Sequence, residues 1–185
     1  MNIIEKLMFS RQLTFSDGQI KLFSENLLFV PSDFVSTYTE TIKDNTDAIK
    51  NLYLAAKKST KEKFGIAIGK EYGFAFRDYT KWFADIIELS GWGMLKWKDI
   101  DEAGRRGVIS LTNSIVASSL KGKVQTQCDH IMRGFIAGGA SVAFKEDMDV
   151  IEEKCIALGD PECIFVIGKN DVLKRNYNIA NSQVP

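Results

Sequence analysis

The sequence predicts an α+β fold, an antiparallel sheet packed against long helices. Three observations carry that expectation. Apolar residues keep helical spacing through much of the stretch 46–89. Short runs at 95–98 and 109–111 alternate apolar and polar residues, the period of a half-buried strand. The segment 149–168 reads as a hairpin reversing near Gly159. Strands, long helices, strands, one more helix and a hairpin do not make a repeating βαβ unit, so the sheet is expected to be antiparallel.

The first thirty residues give a short amphipathic start and then strands, with Asp17-Gly18 as the turn between 13–15 and 19–23. The run 27–30 is a further strand or the lead-in to a helix. Ser32, just after Pro31, is the expected N-cap of a helix over 33–43. Within 46–89, Ile49, Leu52, Tyr53 and Ala56 form one stripe, and Tyr72, Phe76, Tyr79, Phe83 and Ile86 form another. Gly65, Gly69 and Gly73 lie four apart between them. They make a smooth ridge on a continuous helix or mark a break near Gly65, since glycine weakens a helix by about 1 kcal/mol per position. Leu95 and Trp97 alternate with Lys96 and Lys98, and Ile109 and Leu111 resume the pattern after a turn at Ala103-Gly104. A last helix over 124–143 carries Cys128, Ile131, Met132, Phe135, Ile136, Gly139 and Val142 on one stripe. The polar tail from Asn170 is expected to be loose. Together these readings make 1–185 a single domain, with strands and a helix over 1–45, a core over 46–170 and a tail over 171–185.

Composition narrows the function. A chain of 185 residues buries a real core without metal or disulfides as its main support. Lysine plus arginine total 24, as do aspartate plus glutamate, so there is no basic excess of the kind a direct nucleic-acid binder uses. The densest basic run, Lys57, Lys58, Lys61 and Lys63, reads as a solvated helix face. No secretory signal and no apolar window of about 18 residues is visible, which predicts a cytoplasmic protein without membrane insertion. Three cysteines, an odd number, argue against a disulfide framework and for ligands or redox groups in a reducing compartment. No nucleophile elbow, phosphate loop or dinucleotide fingerprint is present; Gly65-x3-Gly69-x3-Gly73 lacks the spacing and the lysine of one. These absences favour binding over catalysis.

The most informative segment is Cys155-Ile-Ala-Leu-Gly-Asp-Pro-Glu-Cys163. A hairpin reversing near Gly159 brings its two cysteines opposite one another, half of a tetrahedral zinc shell. Cys128 arrives from the preceding helix. The fourth ligand is sought among Glu152, Glu153, His130 and Asp129. Strand alternation favours Glu153, and Glu152 requires a bulge. On a helix His130 points about 200° away from Cys128 and converges poorly unless the helix begins later. From spacing alone a zinc site, three buried thiols and a Cys155–Cys163 disulfide all stay open.

Cys128-x-His130, then Gly134 and Gly138, then Glu152-x-x-Cys155 and Gly159-Asp160-Pro161-x-Cys163-x-Phe165 together resemble the signature of the 4-vinyl-reductase domain, a predicted hydrocarbon-binding family, over about the last third of the chain. That resemblance implies a mixed fold shared with small subunits of the vesicle-tethering complex TRAPP, an internal hydrophobic pocket and a homodimer. It also implies, as in phenol-sensing members, a zinc site with Cys128, Glu152, Cys155 and Cys163 as ligands, which selects Glu152 against the parity argument. Four protein ligands leave no open position for water, the mark of a structural site.

A pocket for a small hydrophobic or aromatic molecule needs apolar walls and a few convergent polar groups. Tyr72, Phe76, Tyr79, Phe83, Trp97 and Phe135 are its expected walls, although each also suits an ordinary core. His130, the only histidine, is the expected hydrogen-bonding group. Three functions compete: a ligand-binding or sensor domain with structural zinc, an accessory subunit of a tetrapyrrole vinyl reductase, and a dimeric scaffold without ligand.

Overall fold

In the computed structural model, residues 3–23, 25–65 and 75–185 are described. The chain begins with α1 (Ile3–Phe9) and a three-stranded antiparallel sheet, β1 (Leu13–Ser16), β2 (Gln19–Leu22) and β3 (Glu25–Leu27). Ser16 pairs with Gln19, so Asp17 and Gly18 alone make the turn, as the sequence indicates. Leu7 and Leu22 are buried with Ile86 in a small satellite core.

Helix α2 spans Ser32–Ile42. Ser32 is its first residue rather than its cap. Pro31 occupies the cap position with extended backbone, and no side chain caps the helix. Helix α3 (Thr46–Ser59) does have a side-chain cap, Asn45, whose Oδ1 accepts from the Ala48 N–H at 3.0 Å. It runs into a π-helical turn over Thr60–Gly65. Tyr72, Gly69 and Gly73 lie outside the described residues. Helix α4 follows over Phe76–Leu89 and buries Tyr79, Phe83 and Ile86, the predicted stripe.

The main sheet is antiparallel, in the order β4 (Met94–Asp101), β5 (Arg106–Thr112), β7 (Cys163–Gly168), β6 (Asp149–Lys154). Between β5 and β6 lie α5 (Ile115–Ser119) and α6 (His130–Ala143). Helix α6 packs on α3, α4 and the β6–β7 half of the sheet. Asp149 to Glu152 of β6 are all buried, so both faces of that strand are covered. The fold is thus α+β, as predicted.

Gly134 and Gly138 explain how α6 comes so close to α3. A Cβ on Gly134 would stand 2.5 Å from the Tyr53 carbonyl oxygen, and one on Gly138 2.5 Å from that of Lys57. Only glycine permits that approach.

Four expectations are corrected. The last long helix starts at His130, not 124, because the Asp129 N–H leaves the helical path to donate to the Glu152 carboxylate at 2.9 Å. The first strand of the hairpin ends at Lys154, and 155–162 form a loop. Lys57 is buried, not solvated: its ammonium donates to Asp149 at 2.8 Å and to Asp147 at 2.9 Å, while Asp149 also accepts from the Tyr53 hydroxyl at 2.6 Å. Finally, the tail is ordered. It forms α7 (Asn170–Asn176) and α8 (Ala180–Gln183), with Leu173, Ala180 and Val184 buried. Those apolar residues, with Tyr177 between them, recur every three or four positions, a helical signal that the surrounding polar residues mask.

Candidate functional site

Three segments meet beside the start of α6. The loop before it carries Cys128 and Asp129, β6 carries Glu152, and the β6–β7 loop carries Cys155 and ends in Cys163. The pairing of β6 with β7 shifts register between Glu152 and Lys154, an irregularity of the bulge type. It decides the parity question: Glu152 turns inward and is wholly buried, whereas Glu153 is exposed. The loop then makes a 3-10 turn over Ile156–Leu158 that closes on Gly159 at φ +100°, a conformation open to glycine. Asp160 Oδ2 accepts from the Cys155 N–H at 2.9 Å, and the Ile156 N–H donates to Cys163 Sγ at 3.3 Å. The Gly-Asp-Pro-x-Cys run therefore folds the loop so that both sulfurs face one point.

Glu152, Cys155 and Cys163 each offer a ligand atom within 4.8 Å of the other two, all from buried side chains. Cys128 Sγ lies 3.7 Å from Cys155 Sγ. The three cysteines are free thiols, not a disulfide. Sulfurs bound tetrahedrally to zinc at about 2.3 Å stand about 3.8 Å apart, which the Cys128–Cys155 separation matches. One oxygen of Glu152 accepts from the Asp129 N–H, and the other, Oε1, is buried without a hydrogen-bond partner. Asp129 is set to one side. Its carboxylate accepts from the Ser114 hydroxyl at 2.9 and 3.2 Å and from the Cys163 thiol at 3.4 Å.

The acids of the cluster shift one another's proton affinities. Hydrogen bonds from the Cys128 and Cys163 thiols pull Cys155 well below the usual thiol range. The same hydrogen bonds, then burial, push Cys128 and Cys163 upward. Burial, then the charge of Cys155, raises Asp129 to about 6. Burial, then Asp129, raises Glu152. Acidic groups packed this closely perturb one another, and a bound divalent cation would relieve that by letting the surrounding ligands ionise together.

His130 opens α6 and hydrogen-bonds with Arg133 rather than with the cysteines. Its Nδ1 lies 3.2 Å from an Arg133 η-nitrogen. Guanidinium only donates, so Nδ1 accepts and the ring proton sits on Nε2. Burial, then the charge of Arg133, lowers the imidazole to about 3, so it is neutral. Arg133 itself is wholly buried. It donates to the Gln183 carbonyl at 2.6 Å, and its guanidinium carbon lies 5.0 Å from the centre of the Tyr53 ring. His130 also lines a tight cleft with Trp92, Thr39 and Cys128.

Of the expected pocket walls, Tyr79, Phe83 and Trp97 do come together, with Ile109, Ile136 and Gly139, around an apolar cavity. Its volume is about 10 Å³ for the centre of a water molecule, room for roughly one water. Phe76 and Phe135 are elsewhere. Phe76 packs edge-on against Phe144 at 4.9 Å between ring centres, and Phe135 packs edge-on against Trp92 at 5.3 Å. Two residues beside the cluster have no place among the sequence expectations. Arg133 does leave a signal, as the one charged residue in the apolar run 131–144. Gln183 leaves none.

Residues 108–169 match the family model of the 4-vinyl-reductase domain, the family whose signature the cysteine segment resembles. No curated protein matches the chain in sequence. Among solved structures, the phenol-responsive sensory domain of the transcription activator PoxR, solved with phenol, superposes with a TM-score of 0.75 at 13% identity, covering 97% of this chain and 94% of that one. A trafficking protein particle complex subunit 3 from Naegleria fowleri, covalently bound to palmitic acid, gives 0.51 at 13% identity over 74% of this chain and 93% of that one. A vinyl-4-reductase family protein from Methanocaldococcus jannaschii gives 0.48 at 16% identity over 77% and 83%. The fold is shared with the sensory domain and the trafficking subunit.

Proposed function

From the premise that residues 108–169 form a 4-vinyl-reductase domain, we propose that the chain is a small-molecule-binding or sensor domain with a structural zinc ion held by Cys128, Glu152, Cys155 and Cys163. The observation that carries the metal reading is the convergence of Glu152, Cys155 and Cys163 within 4.8 Å, with Cys128 Sγ 3.7 Å from Cys155. The unpartnered Glu152 Oε1 fits a ligand oxygen. Three sulfurs and one carboxylate suit zinc, whose structural sites are tetrahedral and closed. Held by these residues, an ion would cross-link the loop before α6 to β6, the β6–β7 loop and the start of β7. The residues keep it dry and hold each ligand at its place.

The ligand reading draws support from the likeness to a phenol-responsive fold and from the apolar cavity at Tyr79, Phe83 and Trp97. A phenol-sized molecule exceeds that space, so binding requires movement of these rings. Among the described residues no helix is long and apolar enough to cross a membrane. We place the protein in the cytoplasm, where thiolate ligands stay reduced. The exposed apolar residues Leu28, Phe29 and Phe34, with 87%, 81% and 64% of their surface open, support the homodimer.

Elemental analysis of purified protein tests the metal: about one zinc per chain is expected, and none in Cys155→Ser. A thermal shift with phenol and larger apolar compounds tests the ligand, and a rise in Tm with one class is expected. The small volume of the cavity favours one competitor, the ligand-free dimeric scaffold. No shift with any compound, in a protein that sediments as a dimer, would establish that reading instead.

A further inference from the structure

We infer that Gln183 is a positioning residue for the metal centre, holding the backbone of Glu152 from the outer edge of β6 and so fixing where its carboxylate points; this rests on the metal reading above. Strand β6 is an edge strand of the main sheet. Its free edge at Glu152 is met by a side chain instead of another strand. The Glu152 N–H donates to Gln183 Oε1 at 2.7 Å, and Gln183 Nε2 donates to the Glu152 carbonyl at 2.9 Å. One amide thus reproduces both hydrogen bonds of a paired strand residue. They fall at the irregularity in the β6–β7 pairing, where the sheet's own ladder constrains Glu152 least.

Gln183 is nine-tenths buried, and its own carbonyl accepts from Arg133 at 2.6 Å. The residue therefore ties β6 to α6. Val184, wholly buried beside it, anchors the segment without touching the Glu152 backbone through a side-chain hydrogen bond. Without the amide, the Glu152 N–H and carbonyl lose these hydrogen bonds, and the Asp129 N–H is left to hold the carboxylate in the cluster without support from the backbone edge. Groups that orient metal ligands in this way typically change affinity 10–100-fold when removed.

The test uses the full chain stripped of metal, then titrated with Co²⁺ and with Zn²⁺ against a competing chelator. Gln183→Leu keeps the volume and removes both hydrogen bonds; Val184→Ala loosens the same segment and keeps them. We expect Gln183→Leu to weaken Zn²⁺ about 10–100-fold and to shift the cobalt d–d bands. Val184→Ala is expected to lower Tm while leaving the bands in place and the affinity within about threefold of wild type. Equal affinity and unchanged bands in Gln183→Leu overturn the inference, as does a matching loss in Val184→Ala, which would make the effect one of packing. If the wild-type chain takes up neither ion, the metal reading itself falls, and this inference falls with it.

Discussion

The two ends of α6 face different problems. At its start, polar groups from three separate segments converge on one point, each held by a named hydrogen bond. Toward its other end, Ile136 and Gly139 face Phe83 and Trp97 across a cavity with room for roughly one water. The first site is assembled from directional bonds; the second is lined by apolar side chains with little room between them. Directional bonds fix a geometry in advance, whereas apolar side chains close over any space left to them. Removal of a ligand at the metal end should therefore abolish that site outright, whereas the aromatic end should respond by degrees.

The largest effect is expected from Cys155→Ser, which breaks the assembled end. Loss of an ion present at about a thousand times its Kd removes about 4 kcal/mol. Melting curves with and without excess chelator should then coincide for the variant and differ by roughly 8–16 °C for the wild type. Next comes Gly138→Val, which tests whether the helix itself joins the two ends. Its side chain meets the Lys57 carbonyl, and overpacking of that kind costs about 1–3 kcal/mol in urea unfolding. Metal content should stay at one per chain.

Acid sharpens the contrast further. His130 is held neutral with its proton affinity lowered to about 3, against 6.5 in an unfolded chain. Its contribution is therefore complete above pH 6.5 and is lost as pH falls toward the folded value, because only the unfolded state takes up the proton. Between pH 7 and 5 this amounts to about 2 kcal/mol. Unfolding free energies of His130→Gln and wild type, compared at both pH values, should show that difference in slope. The smallest effect is expected at the aromatic end. Phe83→Leu should cost about 1 kcal/mol, within the range of apolar swaps, and enlarge the space beside Gly139. A phenol thermal shift greater than that of wild type would mark Phe83 as the gate. An unchanged shift would move the ligand to another part of the core.

The same contrast governs what the sequence discloses. The cluster is legible because its parts keep a tight spacing: Glu152, Cys155 and Cys163 are close in the chain, and the loop between them turns on residues with fixed habits, Gly159 and Asp160. Parity argues for Glu153, and the irregularity that overturns parity leaves no mark in composition. The aromatic stripe is legible as buried helix, since Tyr79 and Phe83 are buried at the predicted spacing, but spacing does not say which rings share a cavity. Phe76 and Phe135 join other partners because their neighbours, Phe144 and Trp92, come from distant parts of the chain. The tail reads as loose because its sparse apolar positions lie among polar ones. Gln183 acts through tertiary hydrogen bonds alone, and such bonds have no periodicity to detect.

The contact of Gly134 and Gly138 with α3 has a mechanical consequence. Two backbone-to-backbone seats one turn apart act as a rail. Seated at both points, α6 cannot roll about its own axis without lifting off α3. The spacing of the two helices is therefore set by two missing methyl groups, and a side chain at either position would lift α6 off that seat.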